Sequence, residues 1–204
     1  MPKYWFSSDL HFTHRNILFK FCPETRRGKD EFEMDELMIQ NWQEQVAYGD
    51  VVWLLGDIFF CKYQRAKQIM QRLKAITPNI NLVLGNHDQV IATFDPRGQI
   101  VPSNPDLFEL FETVVHWRKL EIEGKTVIMH HFPTYEWDKM HRGAYHLYGH
   151  IHSRYSYLPH PGIGGRSMDV GVDSRGGDMK LWSWPEIDNI LSKREIRGHH
   201  EKEL

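Results

Sequence analysis

The chain has 204 residues, of which 41% are hydrophobic and 25% are charged, and its formal net charge is -2 at pH 7. These values predict one soluble domain over residues 1–204 with a substantial core, and they exclude the strongly basic surface of a dedicated nucleic-acid-binding protein. No run reaches the ~18 apolar residues of a membrane helix, and the start of the chain lacks the apolar core of a secretion signal. We therefore expect a cytoplasmic protein that does not contact a membrane.

Strand and helix patterns alternate in the first part of the chain. Three short apolar runs predict buried strands, at residues 3–7, 51–55 and 80–84. An apolar side chain at every fourth position predicts a helix over residues 31–46, and a second apolar stripe predicts another over 66–76. This alternation favours a largely parallel sheet with right-handed crossovers.

Two segments lie between the first strand and the first long helix. Thr13 is placed to cap a short helix that contains Ile17 and Phe21. The charges of residues 26–30 predict a solvated loop.

The second half of the chain has a more antiparallel pattern. Residues 114–119, 120–123 and 125–129 predict antiparallel strands, and Glu123-Gly124 is a plausible turn between the last two. The proline-rich segment 95–105 predicts a loop that is either a lid over the strand ends or a plain surface excursion.

Near the end of the chain, Ser183 lies three residues before Glu186 and predicts a capping box for a helix through Leu191. The segments from Gly162 to Gly165 and from Asp169 to Asp173 are expected to form turns and to supply supporting hydrogen bonds, and His199 and His200 to form a solvated tail.

Residues able to bind metals or move protons follow or interrupt the predicted strands in five places. These are Asp9-Leu10-His11, Gly56-Asp57, Gly85-Asn86-His87-Asp88, His130-His131 and His150-Ile151-His152. Each motif alone is weak, because Gly, Asn and Asp are ordinary turn residues after a strand. Ligands bind at strand ends in α/β folds, and alternate residues of an extended segment share one face. The five motifs together therefore favour one shared site.

In this order the motifs resemble the calcineurin-like metallophosphoesterase superfamily, whose pattern is D-x-H, G-D, G-N-H-D/E, a single H and G-H-x-H. The resemblance covers Asp9 to His152, and Phe6-Ser7-Ser8-Asp9-Leu10-His11-Phe12 followed by His14 and Asn16 is similar to the small bacterial and phage branch. It implies an α/β fold built as a four-layer α/β/β/α sandwich. It also implies a phosphoric ester hydrolase that uses two divalent metal ions.

The resemblance assigns a role to each residue of the motifs. One metal ion would be bound by Asp9, His11 and His152. The second would be bound by Asn86, His131 and His150, and Asp57 would bridge both. The mixture of oxygen and nitrogen donors suits Mn²⁺, with Fe, Zn²⁺ or Ni²⁺ as alternatives, better than it suits Ca²⁺. The family shows a single His before an aromatic residue and a Pro, which selects His131, and His130 would face the other side of its strand.

The expected reaction is attack on phosphorus by a metal-bridging hydroxide. His87 would protonate the leaving oxygen, and Asp88 would orient the imidazole of His87. Asn16, His14 and Arg142 are candidate substrate contacts. The expected partner is a phosphate ester, and we favour a phosphodiester or small nucleotide. A phosphomonoester (including a phosphoprotein) and a nucleic acid remain alternatives, and the complete set of motifs argues against a non-catalytic scaffold.

Overall fold

The computed structural model describes residues 2–153 and 164–198. The strands in these ranges are β1 Tyr4–Ser7, β2 Val51–Leu54, β3 Asn79–Val83, β4 Ala92–Phe94, β5 Ile100–Pro102, β6 Thr113–Val115, β7 Trp117–Ile122, β8 Lys125–His130, β9 Tyr145–Tyr148, β10 Ser167–Asp169 and β11 Trp182–Ser183. The α-helices there are α1 Glu31–Gln45, α2 Tyr63–Ile76, α3 Pro105–Phe108 and α4 Trp184–Leu191. Gly162 and Ile163 of the predicted turn segment, and His199 and His200 of the predicted tail, lie outside the described ranges.

The described strands form two main sheets and a hairpin. The first sheet has the order β11-β1-β2-β3-β6, with β1, β2, β3 and β6 parallel and β11 antiparallel to β1. The second has the order β10-β9-β8-β7, in which only the β7–β8 pair is antiparallel. The predicted parallel first sheet is confirmed, as is the mixed α/β class. The antiparallel prediction is wrong for residues 114 and 115, which belong to the parallel strand β6 of the first sheet. It is confirmed for residues 117–122, which form the single strand β7 and pair with β8.

The first sheet is covered on both faces. Successive side chains of β2 point alternately to the two faces and show what covers each one. Val52 and Leu54 belong to the core that also contains apolar side chains of α1 and α2. Trp53 points the other way, into a core shared with Val127 and Met129 of the second sheet. Since successive side chains of a strand face opposite sides, β2 lies between the helices and the second sheet.

The outer face of the second sheet is covered by a loop and a short 3₁₀ helix. Ile128 packs there with Trp137, Met140 and Ala144, and Met140 begins the 3₁₀ helix Met140–Arg142. α4 instead adds Trp184, with other side chains, to the core between the sheets. The predicted fourth, helical layer is therefore not confirmed by the described residues.

Several local predictions can be compared directly with the structure. The capping box of Ser183 and Glu186 is confirmed at the start of α4. Thr13 does not cap a helix, because its N–H and hydroxyl both donate to the buried carboxylate of Asp35, and the turn over Ile17–Phe21 is a π-helix. The segment 95–105 is not a plain loop, since it contains the turn between β4 and β5. No helix in the described part of the chain is both long and apolar enough to span a membrane.

Candidate metal centre

The carboxyl ends of β1, β2 and β3 meet at one edge of the first sheet, because these strands are parallel. The segments that follow them stay in register: the N–H of Asp9 donates to Gly56 O at 2.9 Å, and the N–H of His11 donates to Asp57 O at 3.0 Å. The polar residues that follow these strands therefore lie side by side.

The second sheet brings its own strand ends to the same place. His131 follows β8 directly, and its carbonyl accepts the N–H of Gly149, which follows β9, at 2.9 Å. The N–H of His150 then donates to Asp9 Oδ2 at 2.9 Å, so the ends of the two sheets are joined by a hydrogen bond.

Two groups of donor atoms lie at this junction, and each could hold a metal ion. In the first group, Asp9 Oδ1 lies 4.0 Å from His11 Nε2 and 3.8 Å from His152 Nε2. All three ligand atoms lie within 4.8 Å of one another. Donors about 2.1 Å from one ion are separated by such distances.

The second group consists of Asp57, His131 and His150, whose ligand atoms also lie within 4.8 Å of one another. His131 Nε2 lies 3.6 Å from Asp57 Oδ1 and 3.0 Å from Asn86 Oδ1. The structure thus places Asn86, the remaining predicted ligand, against the second group.

Asp57 lies between the two groups. Its Oδ2 is 3.7 Å from His11 Nε2 of the first group, and its Oδ1 is 3.6 Å from His131 Nε2 of the second. One carboxylate oxygen therefore faces each group, which is the placement expected of a residue that touches two ions.

The hydrogen bonding of these residues fits a bound cation. Among the described residues, the buried Asp9 Oδ1 and His11 Nε2 have no hydrogen-bond partner. His131 Nδ1 donates to Leu55 O at 2.7 Å, and in the neutral imidazole Nε2 is then an acceptor that faces a second acceptor, Asn86 Oδ1. Buried acceptors without donors are costly, and a divalent cation in each group would satisfy them.

Burial and hydrogen bonding shift the pKa values of the side chains in the first group. Burial lowers the pKa of His11 to about 2, assisted by the neighbouring His152, so the imidazole is neutral and its lone pair is available at neutral pH. Burial also raises the pKa of Asp9, although His152 and His131 oppose the shift. Burial lowers the pKa of His152, but its hydrogen bonds, above all to Asp173, outweigh burial and raise the value to about 10.

The candidate ligands adopt a backbone conformation that only a few per cent of non-glycine residues adopt. Positive φ angles are found at Asp9 (55°), His11 (47°), Asp57 (57°), His150 (71°) and His152 (48°). The extended geometry predicted for the two Asp-x-His and His-x-His motifs is therefore wrong. Left-handed residues cost on the order of 1–3 kcal/mol each and occur mainly where the surrounding structure demands them, as at functional sites.

Two glycines allow the strand ends to approach so closely. A Cβ atom at Gly56 would lie 2.6 Å from His131 Nδ1, and one at Gly149 would lie 2.5 Å from Asp9 Oδ2 and would collide with Ser8. No side chain fits at either position without a shift of the candidate ligands.

Arg26 and Asp173 support the first group. Sequence reasoning missed Arg26, whereas it expected supporting hydrogen bonds from the segment that contains Asp173 without naming their partners. Arg26 is only 2% exposed, which corrects the prediction that it lies in a solvated loop. Its guanidinium donates to Asp9 O at 2.6 Å, to Leu10 O at 2.9 Å and to both carboxylate oxygens of Asp173 at 2.8 Å. Asp173 in turn accepts His152 Nδ1 at 2.7 Å and so fixes Nε2 towards the ligand group.

Asp88 has a different role from the predicted one. Its oxygens accept the backbone N–H groups of Asp57 (3.0 Å), Gly85 (2.8 Å) and Ile58 (2.9 Å). The prediction that Asp88 orients the imidazole of His87 is therefore wrong, because the buried carboxylate fastens the backbones of two ligand-bearing segments.

His87 is exposed beside the centre. The centroid of its ring lies 5.8 Å from that of His11. The backbone N–H of His87 donates to Asp57 Oδ1 at 2.8 Å. His130 faces away, as predicted, with its ring 5.1 Å from that of His116.

The three candidate substrate contacts differ in position. His14 is buried, with its ring 5.3 Å from that of His11. Asn16 is exposed next to the π-helix, and Arg142 is exposed in the 3₁₀ helix with its side chain bonded to His141. Substrate contact by any of the three stays a prediction.

Comparison with known proteins identifies relatives. No family model matches the chain. Uncharacterized protein MJ1445 of Methanocaldococcus jannaschii is 30% identical over 131 residues, which cover 64% of this chain and 70% of that protein. The chain belongs to the family of MJ1445. Gene 66 protein of Mycobacterium phage L5 is 27% identical to this chain over 216 residues, which cover 98% of the chain and 100% of the phage protein.

A solved structure shares the fold. The protein of unknown function AQ665 from Aquifex aeolicus is 20% identical, with a TM-score of 0.67 over 94% of this chain and 100% of that one. This chain and the Aquifex protein therefore have the same fold.

Proposed function

We propose that the chain is a metal-dependent phosphoric ester hydrolase of the calcineurin-like metallophosphoesterase type, with two divalent ions and Mn²⁺ as the expected metal. The observation that carries the proposal is the position of Asp57, which presents one oxygen to each of two ligand groups. When bound, two such cations supply charge neutralisation for the phosphoryl oxygens and lower the pKa of the attacking water.

The chain's own residues position the reacting atoms. Asp88 and Arg26 hold the backbones of Asp57 and Asp9, so these carboxylates keep their orientation during the reaction. The backbone N–H of His87 donates to Asp57 Oδ1, which holds this residue beside the centre, and its imidazole is exposed. We assign it as the acid that donates a proton to the leaving oxygen.

Metal content tests the site. After equilibration with Mn²⁺, we expect two ions per wild-type chain and about one ion per chain of Asn86→Ala. The Asp57→Ala variant should bind fewer ions than Asn86→Ala, because Asp57 contacts both groups. Asp138→Asn, an exposed carboxylate paired with Lys119, is the matched control and should retain both ions. A wild-type chain that binds no Mn²⁺, Fe²⁺, Zn²⁺ or Ni²⁺ would refute the metal centre.

Hydrolysis tests the reaction. The substrates are p-nitrophenyl phosphate, its bis-ester, cyclic nucleotides and single-stranded DNA, and we expect the diesters to be preferred. His87→Ala should lower turnover by about 10²–10⁴-fold and keep its metal, because it removes only the proton donor. A metal-loaded wild-type chain that hydrolyses none of these esters would favour a binding scaffold.

A further inference from the structure

Exposed phenylalanine rings lie on both sides of the candidate metal centre. Phe21 and Phe60 are 42% and 46% exposed, and Phe132 and Phe94 are 36% and 47% exposed. Single exposed apolar side chains are ordinary on protein surfaces. These four differ because ring contacts connect them to the candidate ligands: Phe60 and Phe132 directly, Phe21 through His14, and Phe94 only through two histidines and Phe132.

Phe60 and Phe21 approach the first ligand group. The ring of Phe60 stacks on His14 at 3.7 Å between centroids and lies 6.2 Å from His11 and 5.7 Å from His87. The ring of Phe21 also lies near His14, at 6.1 Å between centroids. The buried Nδ1 of His14 has no hydrogen-bond partner among the described residues, so stacking holds this ring in place.

Phe132 approaches the second ligand group from the opposite side. Its ring lies 4.6 Å from His150 and 4.9 Å from His131. From there the rings continue outward through His130 and His116 to Phe94, which lies 5.2 Å from His116.

The two rings nearest the metal ligands are attached to well-supported backbone. The N–H of Phe60 donates to Phe12 O at 3.0 Å. Phe132 directly follows His131, whose carbonyl is bound to Gly149 N at 2.9 Å. A role limited to covering the ligands would explain the buried parts of the rings, but it leaves unexplained why 46% of Phe60 and 36% of Phe132 face solvent.

We propose that Phe60 and Phe132 are stacking platforms for two bases of a single-stranded nucleic acid whose intervening phosphodiester lies at Asp57. The proposal rests on the phosphoesterase function and names its substrate class. Every base has a flat π-face, so aromatic side chains bind single strands without regard to sequence. A ring on each side of the centre fits a phosphate with a base on both sides, whereas a mononucleotide would use only one.

The charge near Phe21 agrees with such a substrate. The ammonium group of Lys20 lies 5.5 Å from the ring of Phe21, and the guanidinium of Arg15 lies 5.0 Å from that of Phe19. Paired aromatic and cationic groups are the usual means by which proteins follow a single strand. Because the whole chain carries a net charge of -2, affinity should depend more on the rings than on the overall field.

The test measures binding by Mn²⁺-loaded protein that carries His87→Ala, so that the ions stay in place while hydrolysis is slow. The probe is a fluorescein-labelled oligothymidylate of about 12 nucleotides, and its anisotropy gives the Kd. Phe60→Ala and Phe132→Ala should each raise the Kd by about 5- to 100-fold, since one base stack is lost. Phe60→Tyr should restore binding, because it keeps the aromatic face.

Two controls make the result specific. Tyr48→Ala removes an aromatic side chain that is 80% exposed before β2, at the opposite edge of the first sheet, and should leave the Kd unchanged. An abasic oligonucleotide of the same length should bind more weakly and equally to all variants. Equal binding of the abasic strand and oligothymidylate, or alanine variants at Phe60 and Phe132 that match the His87→Ala protein, would overturn the proposal.

Hydrolysis of bis(p-nitrophenyl) phosphate by the Mn²⁺-loaded wild type separates this inference from the proposed function. Turnover without ring-dependent oligonucleotide binding would retain the phosphoesterase and overturn the nucleic-acid substrate. Ring-dependent binding without turnover of any ester would support the platforms and overturn the enzyme.

Discussion

The two ligand groups differ in burial although they share a carboxylate. Asp9 and His11 of the first group are 0% and 3% exposed. In the second group His131 is fully buried, but His150 is exposed. An ion in the first group would be shielded from water and from competing donors, so we expect it to exchange more slowly than an ion in the second.

The groups also differ in what holds their histidines. His152 of the first group is bonded to Asp173, which is bonded in turn to the buried Arg26. His131 of the second group is bonded to a main-chain carbonyl, that of Leu55. Charged side chains from distant parts of the chain thus support the first group, whereas the ends of the strands themselves support the second.

Arg26→Met should have the largest effect on the protein. It leaves the buried Asp173 carboxylate and the carbonyls of Asp9 and Leu10 without their donor, and breaking a buried ion pair typically costs about 3–5 kcal/mol. The free energy of unfolding from urea titration measures this loss.

The neighbouring Arg27 provides a matched control. Its side chain is exposed and donates to the main-chain carbonyls of Glu24 and Arg26. Arg27→Met should change the free energy of unfolding by less than about 1 kcal/mol. If both variants lost the same free energy of unfolding, the buried ion pair of Arg26 would not stabilise the protein more than the exposed Arg27 does.

The second sheet should respond to acid through His146 of β9. Its Nδ1 donates to Ile128 O at 3.2 Å and its Nε2 accepts the N–H of Thr134 at 3.2 Å. Burial lowers the pKa of His146 to about 4, from 6.5 for the unfolded chain. The unfolded state therefore binds more protons between these values, so stability is complete above pH 6.5 and is lost as the pH falls towards 4.

His146→Gln removes this titration and keeps a donor and an acceptor. We expect the loss of unfolding free energy between pH 7 and 4.5 to be about 2–3 kcal/mol smaller in the variant than in the wild type. His141→Gln, a change at an exposed histidine, should leave the pH dependence as it is. An unchanged acid response in His146→Gln would mean that other groups dominate it.

The elements whose side chains repeat regularly could be predicted from the sequence. The periodic positions of α1 and α2 and the apolar runs of β1, β2 and β3 gave their boundaries to within a few residues. The segment around His116 could not be divided correctly, because a single residue separates β6 from β7 and only their different partners distinguish them.

The ligand-type residues could be found because they follow strands, and the structure brings all seven of them together. Their supports were found only in part, because supporting hydrogen bonds were expected from residues 169–173 but neither their partners nor the burial of Arg26 could be predicted. Arg26 and Asp173 are 147 residues apart, and a charged residue looks solvated until its buried partner is known. Asp88 was recognised as part of a motif, but the three backbone N–H groups that it binds could not be predicted. They lie in loops, whose sequences have no regular pattern.

Asp173→Asn tests the contrast between the groups at the metal itself. The amide keeps the size of the carboxylate but weakens the bond that fixes the His152 ring, and losing such a partner typically lowers metal affinity by about 10–100-fold. A competitive chelator titration should therefore show weaker binding of one ion and unchanged binding of the other.

Asp169→Asn is the control for that titration, because Asp169 is also buried but accepts the backbone N–H groups of Ser153 and Gly171 and not an imidazole. It should change neither affinity by more than about threefold, which corresponds to roughly 0.6 kcal/mol. If Asp173→Asn weakened both ions equally, the shared Asp57 would couple the two groups, and the difference in support would not give them separate affinities. If it weakened neither, the hydrogen bond to His152 would have no part in metal binding, and Arg26 and Asp173 would serve stability alone.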